Sequence, residues 1–226
     1  MADQREWLNM SGVGQVTFMN QRSFGPPAIG AAFGGGFYAG QISTTANSIA
    51  THDLVVGPLS TAQSTLAWKN DATTTPGTDS DIDGPQNTAD MVAAGNATVF
   101  PCAHFCNDLS TGGQTDWYMP AKNELDVCYF NLKPTTTSNN GSSGINPNAV
   151  PARASVYTSG NPAQTSVVAF QSGGSEAFNA DNYWTSTEFS AGRARGQNFD
   201  TGYQGTYGVF NKTTALKVRA IRRVAV

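Results

Sequence analysis

Residues Asn182 to Val226 constrain the fold more than any other stretch. The segment opens with Tyr183-Trp184-Thr185-Ser186-Thr187-Glu188 and closes with Lys217-Val218-Arg219-Ala220-Ile221-Arg222-Arg223-Val224. Both ends are rich in β-branched and aromatic residues and read as strands. Between them stand Gly192, Gly196, Gly202, Gly205 and Gly208, among Arg, Gln, Asn, Asp and Tyr. Glycines this closely spaced cut any long element into pieces joined by tight turns. The expected product is an antiparallel meander, with buried strands at its ends and polar, aromatic loops displayed between them. Period-two alternation sets the last strand. If Leu216, Val218 and Ala220 face the core, Arg222 shares that face and Arg219 takes the other. A core-facing guanidinium needs an acid. Glu188 is the nearest acid in the meander and the expected bidentate partner, which makes it structural.

The rest of the composition agrees with a loop-rich β-containing protein. Charged residues make up 13% of 226, against a usual share of roughly a quarter. The 24 glycines and many Thr, Ser and Asn residues take their place. A net charge of −3 gives no sequence-wide positive field for nucleic acid or an anionic membrane. No apolar run approaches the roughly 18 residues that would cross a bilayer. The first residues, Met-Ala-Asp-Gln-Arg-Glu, lack the basic and apolar pattern of a secretion signal.

Residues 1–30 differ in character from the rest of the chain. Trp7, Leu8 and Phe18 are among several apolar residues there with no sustained helical stripe, and Gly25-Pro26-Pro27 stops any regular element. The reading is an N-terminal attachment arm over residues 1–30 and one domain over residues 31–226. A first strand of the same fold is the alternative for the arm. Strands are expected over Ala31–Gly40, His52–Pro58 and Leu66–Lys69. Thr88 is expected to cap one helix and Pro101 to start a second. A third begins near Pro120, with Leu125, Cys128, Tyr129 and Leu132 on its buried face. Residues 133–160, rich in Thr, Ser, Asn, Pro and Gly, read as a long irregular excursion.

Two motifs carry metal alternatives. Cys102, His104 and Cys106 have ligand-like spacing, but Cys102, Phe105, Cys106 and Leu109 form one apolar helical face, which is preferred. An odd cysteine count, with Cys128 the third, argues against a disulfide framework. Asp79-x-Asp81-x-Asp83-Gly84 resembles the first half of a calcium loop. Its twelfth position is Asp90 rather than Glu, and Pro85 follows the glycine. An acidic surface loop making local turns is preferred. The reading commits to no cofactor and keeps Ca²⁺ at Asp79, Asp81 and Asp83 as the alternative.

Several landmarks together carry a family resemblance. They are Gly35-Gly36-Phe37-Tyr38-Ala39-Gly40, Leu66-Ala67-Trp68-Lys69, Thr115-Asp116-Trp117-Tyr118-Met119-Pro120 with Glu124-Leu125, Tyr183-Trp184-Thr185-Ser186-Thr187-Glu188 and the terminal Val218-Arg219-Ala220-Ile221-Arg222-Arg223. They resemble a family of bacteriophage tail and virion proteins that includes the C-terminal domain of a Legionella collagen-like adhesin. The resemblance implies an α+β fold similar to C-type lectins and to the formylglycine-generating enzymes. A few helices would pack on short antiparallel sheets with long loops, and Trp117, Pro120, Glu124, Trp184, Glu188, Arg219 and Arg222 would be structural.

It also implies a virion protein, made in the bacterial host cytoplasm, at a tail fibre or tail tip. A head or tail decoration protein is the alternative. The arm would hold other virion proteins, the chain would be a homo-oligomer (a trimer), and the head would bind a host-surface glycan or protein, with no nucleic acid or membrane partner. Arg193, Arg195, Asp200, Tyr203, Gln204, Tyr207 and Asn211 are the candidate ligand-binding residues, because aromatic, amide and guanidinium groups suit such contacts. Catalysis is not expected. No cysteine follows Cys128 to complete a late copper-binding thiol pair, and no nucleophile elbow accompanies His52 or His104. The lectin triplets Glu-Pro-Asn and Trp-Asn-Asp do not occur either. A calcium-stabilised binding domain and a formylglycine-generating-like enzyme are the remote alternatives.

Overall fold

The computed structural model describes residues 25–204 and 209–226. Trp7, Leu8 and Phe18, expected to attach the chain, lie outside them, as does Tyr207. In chain order the first elements are β1 (Ala32–Phe33), β2 (Gly36–Ile42), β3 (His52–Val56), α1 (Leu59–Ala62) and β4 (Gln63–Ala67). Three helices come next: α2 (Gly84–Ala94), α3 (Pro101–Asn107) and α4 (Lys122–Leu132). Then come β5 (Ala149–Val150), a 3-10 turn at Val168–Phe170, β6 (Asn182–Ser190), β7 (Arg193–Asn198), β8 (Val209–Asn211), β9 (Ala215–Arg219) and β10 (Ile221–Ala225). The architecture is mixed α+β.

Among the described residues the strands form two sheets. One has the order β1-β2-β3-β10, with β5 added to β2, and the other β4-β9-β6-β7-β8. The expected meander is therefore only partly correct. β6, β7 and β8 are antiparallel neighbours, but β9 returns on the far side of β6 and pairs with it in parallel at Tyr183–Lys217. β10 then leaves for the first sheet. The step falls at Ala220, whose N–H donates to Ala62 O and whose carbonyl accepts from Gly57 N.

That crossing explains how the arginines are placed. The buried apolar side chains form two clusters. Leu54, Leu125, Tyr129, Phe170, Phe178 and Phe199 belong to one. Trp68, Met91, Phe100, Trp117, Trp184 and Val218 belong to the other. At the end of β9 both faces are covered, with Val218 and Arg219 each buried, so alternation there switches between two cores rather than between core and water. Arg219 is 0% exposed and lies over the rings of Phe178 and Phe170. Its guanidinium donates to Gly57 O at 3.0 Å, Glu176 O at 2.9 Å and Glu176 Oε2 at 3.0 Å. Arg222 instead donates to Asp116 through Nε and Nη2 and to Gly34 O at 2.9 Å.

The expected pairing of Glu188 with either arginine is thus corrected. Its partner is Lys212, at 2.9 Å. The same carboxylate oxygen accepts from Thr75 N at 2.7 Å and Thr78 Oγ1 at 3.3 Å. Glu188 lies near the end of β6, where the chain turning from β8 into β9 brings Lys212 over it. Linear spacing along the last strand could not reveal that meeting.

The helix starts follow local chemistry, with one correction. α2 begins earlier than a Thr88 cap implies. Asp83 accepts from Gln86 N, proline stands in the first turn, and Thr88 is interior, with its hydroxyl donating to Gly84 O. α3 starts at Pro101 and buries Cys102 and Cys106. α4 buries Leu125, Cys128, Tyr129 and Leu132, the expected face. Its start is fixed by Glu124, which accepts from Ala121 N at 2.8 Å, Tyr118 OH at 2.5 Å and Arg223 Nε at 2.7 Å. One close approach requires glycine. Gly112, at φ +59°, packs so that a Cβ would sit 1.9 Å from Gly35 O. That contact docks the β1–β2 turn on the loop leading to Trp117.

Candidate functional site

β7 borders a polar concave surface through Arg195, which lies 3.7 Å from Asp81 in its lining. Ala194 points into the second core, so Arg193, Arg195 and Gln197 share the opposite face by alternation. Along that face exposure falls from Arg193 to the fully buried Gln197. Gln197 Oε1 accepts from Gln204 Nε2 at 3.0 Å, and the same amide donates to Lys122 O at 2.9 Å. These contacts tie the end of β7 to the first residue of α4.

The cleft beside this seam has a volume of about 380 Å³, within the usual range for a small-ligand site. Asp81, Lys122, Asn123, Ser142, Ser143 and Gln204 supply its polar lining, and Gly144, Ile145 and Pro147 complete it. Asp81 stands between two cations, 3.6 Å from Lys122 Nζ and 3.7 Å from Arg195 Nε. Both separations exceed an ordinary N–H···O bond. Arg195 also lies 5.0 Å over the ring of Phe189, which is 45% exposed. One cation, one acid and several amides and hydroxyls therefore line the opening, with a second cation, Arg195, beside Asp81 and an exposed aromatic under that arginine.

The Ser142–Pro147 wall is held from behind. Tyr157 N donates to Ser143 O at 2.7 Å. Asp126, 1% exposed, accepts from Asn146 Nδ2 at 2.7 Å and from Arg153 and Tyr157. Burial and this network make the wall a fixed surface rather than a loose loop. Ser143 Oγ accepts from Gln204 N at 2.8 Å, which leaves its own proton to donate.

The sequence-based ligand set is divided by the fold. Arg195 and Gln204 meet at the cleft, although Gln204 is buried and serves as wall. Arg193 and Asn211 face each other across β7 and β8, both exposed. Asp200 turns away and accepts from Thr135 Oγ1 at 3.0 Å. Tyr203 is half-buried, with its carbonyl accepting from Asn198 N. Lys122, Asn123, Ser142 and Phe189 were missed. Lys122 did carry a signal, because a cation in the first turn of a helix opposes the dipole and needs another reason to be there.

The acids of the calcium-like loop are sent to separate partners. Asp81 faces the cleft, while Asp83 caps α2 and lies 3.7 Å from Arg223. Asp90 accepts from Gln86 Nε2. Among the described residues, no group of three His, Cys, Asp or Glu side chains converges to hold a metal. His104 Nε2 contacts Gly95 O at 2.8 Å rather than joining Cys102 and Cys106. All three cysteines are free and buried, and burial pushes each thiol well above its ordinary value. Among the described residues no helix is long and apolar enough to cross a membrane. The chain matches no protein-family model, no curated protein and no solved structure.

Proposed function

We propose that the chain is a non-enzymatic virion protein whose C-type-lectin-like head recognises a host-surface glycan or protein and whose N-terminal residues attach it to the particle. The single observation that carries this reading is the polar cleft between the start of α4 and the Ser142–Pro147 loop. It is walled by a braced loop, and Arg195, stacked on Phe189, lies beside Asp81 of its lining. Such a mixture gives contact area at low entropic cost together with directed hydrogen bonds. The resemblance to phage tail and virion proteins supplies the biological setting.

The non-catalytic part rests on how the reactive groups are used. Glu124, the acid of the Tyr118–Glu124 landmark, is saturated by Tyr118, Ala121 and Arg223. The thiols are buried and raised, the state of structural rather than reactive cysteine. Two experiments test the proposal. Combined alanine substitution of Arg193, Arg195 and Asn211 with Phe189 is expected to abolish adsorption to host cells while assembly continues. Unchanged adsorption moves the protein to the decoration class. Deleting residues 1–30 is expected to leave a folded head that no longer joins particles, and incorporation at normal copy number would remove the anchor role.

A further inference from the structure

We infer that the cleft between the start of α4 and the Ser142–Pro147 loop, with Arg195 of β7 beside its Asp81, binds a saccharide residue carrying one acidic group, a carboxylate or a phosphate. The inference rests on the binding-head reading and specifies the chemistry of that site. Its starting point is local charge. Two cations, Lys122 and Arg195, share one carboxylate, Asp81, so the opening carries one surplus positive charge in a chain whose net charge is −3. The overall field repels a polyanion, whereas the opening attracts a single acidic group.

The geometry leaves donors available. Asp81 approaches Lys122 at 3.6 Å and Arg195 at 3.7 Å, so it saturates neither. The Lys122 ammonium has one shorter contact, 3.2 Å to Asn123 Oδ1, and three protons to place. Side-chain exposures of 20% for Lys122 and 27% for Arg195 keep both reachable but partly desolvated. In that setting a charge-assisted hydrogen bond counts for more than on open surface.

The remaining lining fits a sugar ring better than a bare ion. Its amides, hydroxyls and the Ile145 side chain suit a ring with both polar and apolar edges, and the exposed Phe189 under Arg195 adds an aromatic surface beside it. Ser143 retains a hydroxyl proton, and Ser142 stands exposed on the same wall. The volume of about 380 Å³ holds one or two sugar residues rather than an extended chain.

The experiment uses the full-length protein and a panel of glucuronate, glucose 6-phosphate, glucose and N-acetylglucosamine, read by ligand-observed NMR and calorimetry. Inorganic phosphate and acetate serve as competitors. Acidic sugars are expected to bind at least about tenfold more tightly than their neutral counterparts, and added salt should weaken them. Lys122→Gln and Arg195→Gln should each weaken acidic-sugar binding about tenfold. Arg195→Lys should retain most of it. Asp81→Asn should tighten it severalfold by removing the competing carboxylate, an outcome that damage to the fold would not give. Whichever of glucuronate and glucose 6-phosphate binds more tightly identifies the acidic group. Equal affinity for neutral and acidic sugars overturns the inference, as does no binding of either. Competition by phosphate or acetate at the sugars' own concentrations overturns the saccharide assignment. Cell adsorption separates the two levels. If Arg195→Gln and Lys122→Gln proteins adsorb as wild type does, this inference fails and the binding-head reading stands. If wild type does not adsorb, that reading fails, and the sugar panel still decides the chemistry of the cleft.

Discussion

Replacing Lys212 with Met tests the corrected ion pair most directly. Lys212 has a fully buried side chain, and its Nζ lies 2.9 Å from Glu188 Oε2, 2.9 Å from Thr73 O and 4.7 Å from the Trp68 ring centre. Met keeps the packing of the stem and removes the charge. Glu188, 8% exposed, would then hold a buried carboxylate on one strong donor, Thr75 N, because the single Thr78 hydroxyl proton also serves Thr75 O at 2.8 Å. Removing one member of a buried pair typically costs about 3–5 kcal/mol. At about 2–4 °C per kcal/mol for a domain of this size, the melting temperature should fall by roughly 6–20 °C. Urea unfolding should show the midpoint moving with the slope unchanged. Glu188→Gln should cost less, about 1–3 kcal/mol, because the amide oxygen can still accept from Thr75 N and from Lys212 Nζ, which also keeps its bond to Thr73 O. The double variant should fall short of the sum by at least about 1 kcal/mol. A Lys212→Met loss below about 1 kcal/mol, the value of a surface pair, would refute the argument. Strict additivity would refute it as well.

Other expectations concern different parts of the fold. Arg219→Lys should destabilise clearly, by about 2 kcal/mol or more, because an ammonium cannot reproduce the fork to Gly57 O, the Glu176 backbone carbonyl and Glu176 Oε2; unchanged denaturant stability would count against that role. Arg222, by hydrogen bonding, holds the Asp116 carboxyl below its ordinary value. The resulting stability is present above the unfolded value of about 3.9 and is lost as pH falls through the lower folded value. Asp116→Asn should flatten that acid limb by no more than about 1 kcal/mol, since Asp116 is largely exposed; an unaltered pH profile in acid melts would refute the pairing. Native protein at pH 8 should resist thiol reagents at Cys102, Cys106 and Cys128, and stoichiometric labelling of a folded sample would contradict their burial. EDTA should leave the melting temperature unchanged, whereas a drop reversed by Ca²⁺ would restore the calcium alternative for the Asp79–Asp83 loop.

Much of the secondary structure was legible because its causes are local. The buried face of α4 follows from a 3.6-residue period in one short window, and the start of α3 follows from Pro101. The β character at both ends of residues 182–226 follows from side-chain shape. Glu124 could be read as a tie between helix start and core because it lies three residues after the helix cap, within reach of its N–H.

What the sequence could not determine depends on which segments meet. Residues 216–222 read as one strand, but the chain breaks at Ala220 into β9 and β10 of different sheets, and at the end of β9 Val218 and Arg219 are buried on opposite faces. Glu188 and Lys212 meet only because the chain returns across β6, and Arg219 and Glu176 meet through the loop that precedes it. The cleft has the same origin. Asp81, Lys122, Ser142 and Arg195 come from four separated segments, and each alone is an ordinary surface residue. A pattern in sequence reports the environment of neighbours along the chain. A charge balance at an opening is set by residues far apart in the chain, and only the tertiary structure brings them together.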